Sequence, residues 1–479
     1  MTSDITPSQE IKEVDLDNEK TTNLGQNTSN QAITADNTVE DAVFGQVSSD
    51  QGPNYRSLGW IATIALMTKT QVGLGVLSIP MSFHSLGLIP GVICLLSIGA
   101  ITTWSNYMVG VFKLNHPEVY SVDDAGGKMF GKIGREIFGV LFMLYFVFVA
   151  GSAMLSISIG FNAVSTHAAC TAVFVAVAAA LTFLFSSIRT LSKIGWLAWV
   201  GVICIMTAIF SVTIAVGVQD HPPPADKAIA AETAFRLTNN PSFVEAVTAI
   251  SCQIFAYAGT AAYFSIIAEM REPKLYTRSL LVSQSIITAV YIVIGCVVYY
   301  YCGANVASPA LGSAGPLVKK ISYGFALPGL LVTAMIVTHV PAKYVFLRIL
   351  RGSEHIHSNN LVHWGTWLGC TGGITIVAYI IASAIPVFGA LVSLIGASFG
   401  TFLSFQPYGC MWLYDNWRTK ERNAKWFAMV SWSILVIAIG TFLMIGGTYG
   451  SIVAIRDASK TESGASWSCA DNSNSVAGK

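Results

Sequence analysis

Long apolar runs, parted by short polar stretches, dominate the pattern of this chain. A bilayer core about 30 Å thick takes roughly 20 apolar residues per helix. Residues 57–112 hold one charge, Lys69, and the turn-prone Gly87-Leu88-Ile89-Pro90 divides them into two spans. Residues 137–188 hold no Asp, Glu, Lys or Arg, exceed one helix, and break at Asn162 to His167. Residues 361–413 are equally uncharged and divide near Ser383-Ala384-Ile385-Pro386. The pattern predicts eleven transmembrane helices, near 57–84, 87–112, 137–161, 168–188, 194–218, 243–268, 279–302, 326–349, 361–383, 388–413 and 426–449. The fold class is an all-α integral membrane protein. Its transmembrane domain covers 56–449, between an N-terminal segment 1–55 and a C-terminal tail 450–479.

Composition supports this reading. Charged residues make up 11% of the chain and hydrophobic residues 53%, whereas a soluble domain carries roughly 25% charged residues. So few charges cannot cover a globular surface in water, and lipid is the implied partner. A net charge of +1 gives no sign of a nucleic-acid partner. Residues 1–55 differ, with ten acidic side chains against Lys12 and Lys20; such a segment buries too little apolar surface to order itself, and reads as a disordered tail. Sixteen Lys and Arg fall in or beside one set of inter-span loops and four in the other, Lys227, Arg236, Lys319 and Lys320. That bias predicts a cytoplasmic N-terminus, and an odd helix count then predicts an external C-terminus. Asp220 to Pro241, with its triple proline, reads as an extended outer segment. Ser121 to Gly139 reads as a short interfacial helix or a solvated loop. The nine cysteines form no CxxC pair or His/Cys cluster, which predicts no metal centre. With no HExxH-like constellation, an enzyme is not expected.

Two spans are interrupted. The first reads Thr68-Lys69-Thr70-Gln71-Val72-Gly73-Leu74-Gly75-Val76-Leu77-Ser78-Ile79-Pro80, with two glycines and a proline at membrane depth. The sixth reads Phe255-Ala256-Tyr257-Ala258-Gly259-Thr260. Irregular backbone is tolerated at that depth where it lines a cavity or is buried in protein. Interruptions at matching places in two halves point to a transport site. Here they open two blocks of five spans, leaving one helix over. Freed N–H groups attract a carboxylate and freed carbonyls accept from an ammonium, so such a site suits an amino acid. The candidate substrate residues are Thr70, Gln71, Gly73, Leu74, Gly75, Phe255, Ala256, Tyr257, Gly259 and Thr260, with Tyr145 on the third span and Thr333 on the eighth.

Several stretches resemble one family. Lys69 to Pro80, and Phe255-Ala256-Tyr257 followed by Glu269-Met270-Arg271-Glu272-Pro273, resemble the first and sixth helices of the amino acid/auxin permeases. His116-Pro117-Glu118, Ser308-Pro309-Ala310-Leu311 with Ser313-Ala314-Gly315-Pro316, and Gly447-Thr448-Tyr449 resemble fungal neutral amino-acid permeases of the methyltryptophan-resistance type. The resemblance runs from about residue 55 onward. It implies a LeuT-type 5+5 inverted repeat and proton-coupled symport of neutral aliphatic and aromatic amino acids. The energy source would be a proton gradient, with no bound cofactor. A plasma-membrane location is expected, with the vacuolar membrane as the other choice. An organellar exporter of the same fold, or an amino-acid-sensing receptor without flux, are the competing readings.

Three ionisable residues are candidates for proton coupling. Lys69 is a lone cation on the inner half of the first span, near where sodium-coupled relatives hold a cation between helices 1 and 8. His339 lies in the eighth span and Glu269 at the end of the sixth. Cys170, where the fourth span begins, and Cys469, in the tail, both fall on the predicted outer face, where disulfides persist. They are expected to pair, with Cys302 as a rival partner.

Overall fold

The computed structural model describes residues 38–41, 45–48, 58–188, 195–218, 234–350, 353, 355, 360–419, 422–460 and 465–475. The chain divides into two units, Met1–Asn54 and Tyr55–Lys479. In the first, β1 (Thr38–Asp41) pairs antiparallel with β2 (Gly45–Ser48), Val39 opposite Val47. The remainder of 1–55, read from the sequence as a disordered tail, lies outside the described residues.

The second unit is helical. In chain order its helices are α1 (Trp60–Gln71), α2 (Ile79–Leu86), α3 (Leu88–Asn115), α4 (Val122–Ser165), α5 (Thr171–Ser186), α6 (Gly195–Val218), α7 (Phe243–Tyr257) and α8 (Tyr263–Ala268). They continue with α9 (Tyr276–Cys302), α10 (Pro316–Leu350), α11 (Leu361–Ala384), α12 (Phe388–Ile395), α13 (Thr401–Ser404), α14 (Gln406–Asn416) and α15 (Ala424–Ala458). Joined across their interruptions, ten segments of the described residues are long and apolar enough to cross a membrane. The shorter apolar α5 stands where the fourth predicted span lies. Its 16 residues reach about 24 Å at 1.5 Å per residue.

Three boundaries move from their predicted places. The helix carrying the third span starts at Val122, inside the Ser121–Gly139 stretch read as a short helix or a loop, and its span proper starts after Gly131 rather than near 137. Gly131, at φ 71°, separates an amphipathic first part from the span proper. That conformation suits glycine because it has no Cβ. The first part is fastened by Arg135, whose guanidinium lies 2.8 Å from Asp124. The eighth span starts at Pro316 rather than near 326. Its charge had marked Lys319 as a loop residue, yet Lys319 is buried and donates to the carbonyls of Ser473 and Asn474. The last span continues past 449 to Ala458, so the tail begins later than expected. Gly447 and Gly450 let this helix lie directly against Ser251 and Val247 of α7. Of the expected outer segment Asp220–Pro241, the triple proline lies outside the described residues.

The helices pack in two groups. α4 packs against α5, α10 and α11, which also pack on one another. The interrupted pair α1/α2 packs against α7 and α9, and α3 against α7, α8 and α9. α6 touches both groups through α1, α9 and α10. A parallel bridge joins the entry of the first span to the exit of the sixth: Leu58 N–H donates to Glu269 O at 3.2 Å, and Arg271 N–H to Leu58 O at 2.9 Å.

Candidate substrate site

Both interruptions are local unwindings held by small residues. After Gln71 the backbone turns through Val72–Leu74, forms a tight turn at Gly75–Ser78, and resumes as α2 with Pro80 in its first turn. After Tyr257 it passes Ala258 and Gly259, forms a turn at Thr260–Ala262, and resumes as α8. The two breaks fit into each other. A Cβ added at Gly75 would stand 2.4 Å from Ala256 Cα. One added at Gly259 would stand 2.8 Å from Gln71 Cγ and 3.1 Å from Thr70 Oγ1. Each glycine therefore lets one break approach the other.

Beside this crossing lies a cavity of about 90 Å³. A single water needs about 10–15 Å³ on this measure, so several waters or a small solute fit. The breaks contribute Lys69, Thr70, Gln71, Gly73, Leu74, Gly75, Phe255, Ala258 and Gly259 to the lining. α4 contributes Tyr145, Phe146 and Val149, and α10 contributes Thr333, Ile336, Val337 and Val340. Leu66 and Ala262 complete it. Among the described residues, Lys69 is the sole charged one in this lining.

Lys69 is 4% exposed. Its ammonium donates to Thr333 Oγ1 at 2.7 Å, and that hydroxyl donates on to Gly329 O at 2.9 Å. Gly201 on α6 makes room for the lysine stem, since a Cβ there would meet Lys69 Cε at 3.0 Å. Among the described residues no carboxylate lies within ion-pair distance of Lys69. Tyr145 reaches from α4 to the second break, its hydroxyl donating to Ala258 O at 2.6 Å.

Other candidates lie elsewhere. Ala256, Tyr257 and Thr260 do not line the cavity but back it: Tyr257 donates to Thr288 Oγ1 at 3.1 Å, and Ala256 offers its carbonyl to Tyr291 at 2.8 Å. Gln71 lines the cavity, yet its amide turns away to Tyr263 Oη at 2.6 Å and Gln284 Oε1 at 3.3 Å. His339 sits outside the cavity, edge-on to Trp367 at 5.0 Å and facing the backbone of Ser186 and Ile188. Glu269 follows α8 and does not reach the cavity. Cys170 and Cys469 are joined as a disulfide, their Cα atoms 4.4 Å apart; Cys302 instead lies 3.7 Å from Ser313 O. The aliphatic wall of Ile336, Val337 and Val340 escaped the sequence reading. So did Tyr291 and Gln284. The available signal was spacing: Thr333, Val337 and Val340 recur at helical intervals on one face.

The family model described as transmembrane amino acid transporter protein matches residues 56–453. A protein of Neurospora crassa called N amino acid transport system protein is 31% identical over 405 residues, covering 84% of this chain and 86% of that one. A transmembrane transporter of Fusarium pseudograminearum is 34% identical over 429 residues, covering 89% and 90%. Among solved structures, a nucleobase-cation-symport-1 family transporter in a closed conformation aligns at TM-score 0.52 and 11% identity, covering 86% of this chain and 96% of that one. A Na⁺-coupled sialic acid symporter aligns at 0.50 and 14%, covering 82% and 88%. The architecture is that of the LeuT-fold transporters, with the bent first and sixth spans that mark it. Matched over most of its length by the family model, the chain belongs to the transmembrane amino acid transporter family.

Proposed function

We propose that this protein is a secondary active transporter of neutral amino acids, aliphatic and aromatic, that couples their uptake to protons by alternating access at the plasma membrane. One observation carries the reading. The cavity joins unwound main chain from two spans to an apolar wall, and no carboxylate lines it. Freed amides and carbonyls suit the two ends of a zwitterion. Phe146, Val149, Phe255, Ile336 and Val337 suit an apolar side chain. A lysine or arginine substrate would bring a cation to a wall whose one charge is already positive.

Lys69 is the proposed proton-coupling group. Its ammonium holds Thr333 across the divide between α1 and α10. Release of its proton would weaken that tie when the site changes access. The test is uptake of radiolabelled L-phenylalanine, L-leucine, L-arginine and L-glutamate into permease-deficient cells, with and without an inward proton gradient. Phenylalanine and leucine are expected to accumulate, and arginine and glutamate to stay near background. Equal uptake of arginine would remove the neutral-substrate reading. Binding without flux would favour a receptor.

A further inference from the structure

The carbonyls of Gln71 and Ala256 lie in the last turns of α1 and α7. There no amide four residues on is in helical place to receive them. Both residues are buried, and a buried carbonyl without a partner is costly. Both oxygens meet one hydroxyl. Tyr291 Oη lies 2.9 Å from Gln71 O and 2.8 Å from Ala256 O. Its single proton is shared between them.

We propose that Tyr291 is the positioning residue that pins the two interruptions to each other, its hydroxyl bridging the carbonyls of Gln71 and Ala256 from behind the cavity. The inference rests on reading the cavity as an amino-acid site. Tyr291 is fully buried, and it does not line the cavity. It acts from α9, whose Gln284, Thr288 and Tyr291 fall on one face at helical spacing. Gln284 meets the Gln71 side chain, Thr288 meets Tyr257, and Tyr291 meets both freed carbonyls. Fixing those two carbonyls fixes where α1 and α7 end, just ahead of Gly73–Gly75 and Ala258–Gly259, which line the cavity. The ring itself packs edge-on to Tyr257 at 5.2 Å, a contact that phenylalanine would keep. The hydroxyl therefore separates a positioning role from a packing role.

The test compares full-length wild type, Tyr291→Phe and Tyr299→Phe in lipid nanodiscs and in cells. Tyr299 is an equally buried tyrosine, but its hydroxyl accepts from the Arg236 amide at 3.0 Å, away from the breaks. Hydrogen exchange at Gln71–Gly75 and Ala256–Gly259 is read without substrate. Tyr291→Phe is expected to speed it about tenfold at both breaks, the scale of one lost buried hydrogen bond. Its KM for L-phenylalanine is expected to rise about tenfold, with maximal rate per surface molecule within about twofold. Tyr299→Phe is expected to change neither. Wild-type exchange at either break in Tyr291→Phe, or the same acceleration in Tyr299→Phe, overturns the proposal. A Tyr291→Phe protein that does not fold assigns the hydroxyl to stability alone and also overturns it. If wild type takes up no L-phenylalanine, the proposed function falls, and exchange alone decides the role of Tyr291.

Discussion

A lysine at the centre of a membrane costs about 2.5–3.5 kcal/mol on insertion scales. Lys69 lies within the first span, 4% exposed, with Thr333 as the hydrogen-bond partner of its ammonium. Methionine matches its length and removes the charge. Lys69→Met is therefore expected to leave exchange of L-phenylalanine between the two faces intact and to abolish pH-driven accumulation. A one-unit gradient supports about tenfold accumulation for one proton per substrate; the variant's ratio is expected to approach one. Unchanged accumulation across external pH would return Lys69 to a structural part. This residue was legible in the sequence because it is the one charge between 57 and 112. The wall of Ile336, Val337 and Val340 was not. In a chain that is apolar on nearly every face, hydropathy does not separate a cavity side chain from one that meets lipid. His339 drew notice by its chemistry, but chemistry alone did not show that its ring points to Trp367 instead.

The interruptions show what a whole element reveals. Glycines, a proline and polar neighbours marked both breaks, since each is unfavourable inside a helix. Both glycines line the cavity, and which has room for a side chain and which is pressed against the other break required coordinates. A Cβ at Gly73 would meet Thr333 Oγ1 at 3.8 Å, an ordinary contact, whereas one at Gly75 would press on Ala256 Cα at 2.4 Å. Gly73→Ala is thus expected to reach the membrane at wild-type levels and raise the KM of bulky substrates such as L-phenylalanine more than that of L-alanine. Gly75→Ala is expected to push the breaks apart, lose roughly 1–3 kcal/mol of stability and lose transport of every substrate. Thermal unfolding in detergent, together with uptake of both amino acids, checks the pair. Equal behaviour of the two variants would contradict the packing described. Helix ends were less legible than helix breaks. Charge placed Lys319 in a loop, but a long side chain can be buried when carbonyls receive its ammonium, as those of Ser473 and Asn474 do.

Across the molecule, residues 465–475 lie over one group of helices. Ser466 and Trp467 bond to the carbonyls of Ala384 and Ser383 on α11. Cys469 joins Cys170 ahead of α5, and Ala470 accepts from Thr171 on α5. Asn472 accepts from Asn162 on α4, and Lys319 on α10 reaches Ser473 and Asn474. Each of these partners belongs to α4, α5, α10 or α11 or directly precedes one; none lies on the interrupted spans. Peptide mapping without reduction is expected to recover a linked Cys170–Cys469 pair. Cys469→Ser is expected to lower the unfolding temperature by about 5 °C, the scale of a disulfide closing a long loop, while KM stays near wild type. An alkylatable Cys469 in the mature protein would contradict this.

The same strap bears on how the protein is made. Residues 465–475 follow every helix they fasten, so the ribosome delivers them only after α4, α5, α10 and α11 have entered the bilayer. Until then Asn162, Thr171 and Lys319 lack the partners that the strap supplies. Closure of this body is a late event in biogenesis, and formation of the Cys170–Cys469 bond reports it. A nascent chain halted before Cys469 would carry inserted helices and an unsealed rim at that end of the bundle, a state that quality control could distinguish from the finished carrier by its free thiol at Cys170.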